Sequence, residues 1–138
     1  MKRLSMILIL ISSAICWADN KALNLFTASE QIVENLELRP GQKITPTNNS
    51  IQGQCEMIVT GGVSTTLPCR GVQVILSKYS GGEVTRSGTN GEGYFEFSGL
   101  VPGRYNLQIQ SEKFKLKTPL ANLIPGNLYK ISVQEIKN

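Results

Sequence analysis

Not one histidine occurs in this chain of 138 residues. That absence removes Ser–His and Cys–His nucleophile pairs, and with them the histidine-based zinc hydrolase sites. Cysteine is nearly as scarce. Cys16 sits in the amino-terminal apolar stretch, which leaves Cys55 and Cys69, and two cysteines without histidine cannot complete a tetrahedral zinc shell unaided. Beyond that stretch, no apolar run approaches the ~20 residues a spanning helix needs. Excess charge is small as well. The formal charge is +4, and the basic residues are scattered, so nucleic-acid binding has no support.

At the amino terminus, Lys2 and Arg3 precede the apolar run Met6 to Ile11, and Ser12-Ser13-Ala14-Ile15-Cys16-Trp17-Ala18 follows. A basic start, a short apolar core and a small residue at its end predict a secretory signal over residues 1–18, cut between Ala18 and Asp19. The rivals are an uncleaved anchor and lipidation at Cys16, where Ile15 occupies the place a lipobox gives to Gly, Ala or Ser. Removing Lys2 and Arg3 lowers the charge from +4 to +2. What remains, about 120 residues, builds one core and not two. Export, to the periplasm or outside the cell, puts Cys55 and Cys69 in an oxidising compartment and predicts a disulfide between them. They lie 14 positions apart, and a loop of that size stabilises a fold by ~3 kcal/mol in the chain-entropy model.

Three zones follow the signal. Residues 19–50 form a polar arm and linker. Within it, Thr27-Ala28-Ser29-Glu30 reads as a capping box opening a short helix, with Ala28, Ile32, Val33 and Leu36 on one side. Leu36-Glu37-Leu38 reads alternatively as a short strand, and Pro46 to Ser50 as a linker. Residues 51–138 alternate in the manner of strands: Cys55, Met57, Val59; then Val72, Val74, Leu76; then a polar outer strand from Glu83 to Ser87. Asn90-Gly91 is a hairpin signal. Phe95 and Phe97 share one face, as do Tyr105, Leu107 and Ile109, and Tyr129, Ile131 and Val133 supply a closing strand. Short strands punctuated by glycine turns predict an all-β fold, a single two-layer antiparallel sandwich of about seven strands.

The punctuation is patterned: Leu67-Pro68-x-x-Gly71-Val72-x-Val74, then Thr89-Asn90-x-x-Gly93-Tyr94-Phe95-x-Phe97-x-x-Leu100-x-Pro102-Gly103-x-Tyr105-x-Leu107. It resembles the carboxypeptidase regulatory-like domain, whose fold is a transthyretin-like β-sandwich, and more distantly the collagen-adhesin B-type domains. The resemblance implies an accessory module. The residues have a physical reading of their own: Gly93 permits a tight turn, Pro102-Gly103 suits a turn with Gly at positive φ, and Phe95, Phe97, Leu100 and Tyr105 fill the core.

Catalysis is left with carboxylates. Glu92, Glu96 and Glu83 are the candidates for an acid/base pair, and a solvated face explains them better. The Thr89-to-Gly93 turn lacks the alternating acidic oxygens of a calcium loop. No cofactor is expected. The reading is a non-catalytic exported module, an accessory subunit of a bacterial envelope, secretion or surface assembly, whose partners dock on an edge strand or on the arm. The alternative is a carbohydrate- or small-ligand-binding module using Tyr79, Tyr94 and Tyr129 as exposed platforms. A third reading uses the Gly61-to-Thr66 loop as an inhibitory or effector loop.

Some adhesin domains carry a Lys–Asn/Asp isopeptide assisted by Glu. Here Cys55 to Thr60 contains no lysine, and Gln108 and Gln110 stand where the glutamate belongs. The intact mass is therefore expected to show the disulfide and no further loss of ammonia or water; a further loss would contradict this reading.

Overall fold

A computed structural model of the chain describes residues 23–59 and 65–136. The expected signal, its Ala18–Asp19 cut and residues 60–64 lie outside the described residues. Among those described, the chain is all-β. Its strands are Asn24–Val33 (β1), Leu36–Arg39 (β2), Gln42–Ile44 (β3), Ile51–Val59 (β4), Thr65–Pro68 (β5), Gln73–Lys78 (β6), Glu83–Gly88 (β7), Tyr94–Phe97 (β8), Tyr105–Gln110 (β9), Phe114–Leu116 (β10), Leu120–Leu123 (β11) and Leu128–Glu135 (β12).

The architecture corrects the expected simple sandwich of about seven strands. One ten-stranded sheet runs β5-β4-β12-β1-β10-β9-β6-β7, with β8 added on β4 and β11 on β9; β2 and β3 form a separate hairpin. The sheet curls into a half-barrel, so its two halves face each other as the layers of a sandwich. Two causes raise the strand number. The long β4 takes two short partners on one edge, β8 along Ile51–Gln54 and β5 along Glu56–Val59. The arm, too, contributes a strand.

That strand is β1, and it replaces the expected helix. Thr27-Ala28-Ser29-Glu30 lies mid-strand, paired residue by residue with Gln134, Val133, Ser132 and Ile131 of β12. The local capping signal loses because β12 presents a full edge of backbone groups to satisfy, and a β-branched run (Thr27, Ile32, Val33) suits a strand better than a helix. The strand alternative for Leu36 to Leu38 is the correct one, as β2.

The core lies between the layers. Val74, Leu76, Leu107 and Ile109 on one side and Ile51, Cys55, Ile131 and Val133 on the other are fully buried, each at the inward phase of its strand. Leu36 and Leu128 are also buried but stand outside this cluster. Leu128 faces outward, out of phase with Tyr129 and Ile131. Near it the arm is tied down by Arg39 Nε to Glu92 Oε1 at 3.1 Å and by Thr47 N donating to Gln52 Oε1 at 3.2 Å. The Pro46–Ser50 linker is pinned rather than loose, since Leu100 N donates to Asn49 O and Gly126 N to Ser50 O, both at 2.8 Å.

Asn90-Gly91 makes a turn but not a hairpin. β7 pairs with β6 and β8 with β4, so this turn carries the chain from one layer to the other. Asn90 Oδ1 accepts from Glu92 N and Tyr94 N, both at 2.9 Å, which shapes the turn from within. At its end Gly93 has φ +80°, and a Cβ there would stand 2.3 Å from the carbonyl oxygen of Cys55. Gly91, in the same turn, has open space around it. Gly93→Ala is therefore expected to cost about 3 kcal/mol or more in urea unfolding, and Gly91→Ala to stay within about 0.5 kcal/mol. Equal effects would refute the close-approach argument.

Candidate functional site

The residues of the sequence motif are structural in their placement. Phe95, Phe97, Leu100 and Tyr105 are buried, and Gly71 and Gly103 carry positive φ in turns. Pro102 is exposed beside Gly103. Tyr105 donates its hydroxyl to Val101 O at 2.7 Å, which lets a buried phenol close the turn before β9. Cys55 and Cys69 form a disulfide with Cα atoms 5.3 Å apart. Both are buried, so the bond is part of the core and not an accessible thiol pair.

The aromatic platform of the alternative reading does not assemble. Tyr79 is exposed, Tyr94 half-buried and Tyr129 buried. Tyr129 goes inward because its hydroxyl finds backbone partners: it accepts from Ile124 N at 2.8 Å and stands 3.4 Å from Ile124 O. The carboxylates are also engaged. Glu92 is held by Arg39, Glu96 accepts from the Tyr94 hydroxyl at 3.2 Å, and the Glu83 side chain lies outside what is described. Among the described residues no group of three or more Cys, Asp and Glu could hold a metal ion, and no helix is long and apolar enough to cross a membrane.

Two other features could take a partner. The first is the outer edge of β1. Only Asn24–Phe26 pair with β10, while Phe26–Val33 pair with β12 on the other side. Asn24 N donates to Lys113 O and Lys117 N to Phe26 O, whereas Ile136 N donates to Leu25 O. Even-numbered residues of β1 therefore direct their backbone groups away from β12. Past Phe26 this leaves Ala28, Glu30 and Ile32 with no ladder partner among the described residues. Ile32 is 62% exposed, and neither proline nor lysine interrupts the edge. Sequence reasoning missed this edge because it read the segment as a helix.

The second is a groove of about 790 Å³ where the layers part. Phe26, Met57, Val72 and Phe114 line it, with Arg70 and Lys113 among the residues at its mouth. Its aromatic rings pack on each other, with Phe26 and Phe114 centroids 4.4 Å apart.

The carboxypeptidase regulatory-like domain matches residues 58–134, more than half of the chain. The chain belongs to that family. Domains of the carboxypeptidase regulatory-like family are not themselves catalytic. No curated protein matches the chain. The family match begins within β4, so β1, β2 and β3 lie ahead of it.

The only titration shift resolved among the described residues is on the family-motif tyrosine, Tyr94. Burial, together with the Glu96 carboxylate, pushes its phenol above the ordinary 10.0, against the opposite pull of the Gln52 amide. Gln52 Nε2 donates to the hydroxyl at 2.9 Å. A folded value above the unfolded one means that the native state holds the proton more tightly. The contribution is complete below pH 10.0 and is lost as pH rises through the folded value. Alkaline denaturation followed by circular dichroism should therefore show stability falling from about pH 10 upward, less steeply in Tyr94→Phe. Identical profiles would contradict the assignment.

Proposed function

We propose that this regulatory-like domain is a non-catalytic exported module that binds an envelope or surface partner by adding that partner's strand to the free edge of β1. The observation that carries the reading is the run of backbone groups at Ala28, Glu30 and Ile32 that have no ladder partner among the described residues. Sheets accept an extended segment at such an edge through main-chain hydrogen bonds, with side-chain contacts giving selectivity. The amino-terminal pattern of residues 1–18 and the buried Cys55–Cys69 disulfide both favour export to an oxidising compartment. A small domain with a docking surface, and with no catalytic constellation among the described residues, suits an accessory place in a secretion or surface assembly.

A second reading, small-ligand binding, is favoured by the groove, whose volume is that of ordinary ligand sites. The carbohydrate form of that reading loses its basis with Tyr129 buried and Tyr94 turned to Gln52 and Glu96.

The test uses backbone chemistry. Glu30 points its N–H outward, so Glu30→Pro removes an edge donor while leaving the β1–β12 ladder intact. Gln31 points inward to β12, and Gln31→Pro should break that ladder. Crosslinking pull-down from the native envelope fraction should recover a defined partner with the wild-type chain. Glu30→Pro is expected to lose that partner at least tenfold while its thermal unfolding changes little. Retention of the partner by a folded Glu30→Pro variant would eliminate edge pairing.

A further inference from the structure

The groove between the layers has a composition that narrows its ligand. We propose that it binds a single-chain anionic amphiphile, an acyl chain ending in a carboxylate; this rests on the ligand-binding reading above. Phe26, Val72 and Phe114 are buried at the floor, and half-buried Met57 beside them offers an adaptable wall. Leu67 continues the apolar surface to the rim, where it is 53% exposed. A flexible hydrocarbon chain can follow such a surface.

The head group is argued from charge. Arg70 and Lys113 lie at the groove against one carboxylate, Glu112. Arg70 comes just after β5 and Lys113 just before β10, so the two cations approach from the two layers the groove separates. Neither is ion-paired among the described residues; Arg70 Nε donates to Gly91 O at 3.1 Å. The mouth is therefore net positive over an apolar floor. A sugar would find no exposed ring to stack on, because Phe26 and Phe114 are buried against each other. A neutral hydrocarbon would leave both cations unused.

Octanoate and 1-octanol separate these contributions, since they share a chain and differ in the head. Each is titrated into the purified disulfide-bonded protein and followed by amide shifts in ¹H–¹⁵N spectra. Octanoate is expected to move the amides of Met57, Leu67, Val72 and Phe114 saturably, and to bind about tenfold more tightly than octanol, as two exposed ion pairs allow. In Arg70→Gln/Lys113→Gln the two ligands should bind equally, with the remaining spectrum unchanged. Leu67→Gln, at an exposed position that tolerates the change, should weaken both. Equal binding of octanol and octanoate by the wild-type protein would overturn the anionic head while leaving a ligand groove. No saturable shift at these amides with either compound would overturn the proposal and the ligand reading together.

Discussion

Everything in the two layers depends on how β4 changes partners at Cys55. Up to Gln54 its free edge belongs to β8, and from Glu56 it belongs to β5. Cys55 serves both sides of the change: its N–H donates to Gly93 O at 2.9 Å, and its carbonyl accepts from Cys69 N at 3.0 Å. The disulfide to Cys69 then locks the end of β5 onto the same residue. Thr89 ties in the other layer, since its hydroxyl donates to Cys69 O and accepts from Val72 N at 3.1 Å. A buried strand that swaps neighbours would ordinarily leave backbone groups unsatisfied. Here each has a partner within one compact knot, and that is why Gly93 must lack a side chain. Gly53, two residues before Cys55 on β4, is under a similar demand: a Cβ there would meet the Phe95 ring at 2.5 Å and Tyr129 O at 2.8 Å.

Inward phase is legible in the sequence for the strands that alternate clearly, because alternation is a local property. Val72, Val74 and Leu76, Phe95 and Phe97, and Tyr105, Leu107 and Ile109 are buried as their spacing required. Partner choice is not local. Asn90-Gly91 carries a strong hairpin signal, yet the strands on either side belong to different layers. The turn satisfies its own geometry through the Asn90 side chain and needs no pairing across it. Tyr129 is buried as its place beside Ile131 and Val133 in the closing strand requires, and only the alternative reading of it as an exposed platform fails. A phenol looks amphipathic in sequence, but a backbone N–H at Ile124 within reach of its hydroxyl makes burial acceptable.

The arm shows the same limit more sharply. Its composition is polar, and Thr27 to Glu30 favours a helix start, while the edge of β12 demands a strand. Pairing along Phe26–Val33 satisfies backbone groups on both strands at once, and that outweighs a capping preference of about 1 kcal/mol. The β2–β3 hairpin then follows, with Arg39 reaching Glu92 in the turn between the layers. The arm lies ahead of the span shared with the family, but it is built into the sheet by main-chain bonds rather than attached through a linker.

The shortness of β10 ties the two candidate binding surfaces together. Ser111 ends the preceding turn by accepting from Lys113 N and Phe114 N through its hydroxyl. Three residues later the chain leaves β10 for β11, after Lys117 N makes its bond to Phe26 O. Among the described residues β1 therefore has a ladder partner on that side only as far as Phe26. The same brief contact is the seam between the layers, and the Phe26–Phe114 ring pair sits at its end as the floor of the groove. Because the two strands are parallel, continuing β10 past Leu116 would cover Ala28, Glu30 and Ile32 with backbone, whereas the groove lies at its opposite end, lined by Ser111 to Phe114. The two ends of this one short strand thus meet the two surfaces: the groove lies at its serine turn, and the edge of β1 without a ladder partner among the described residues begins past Leu116.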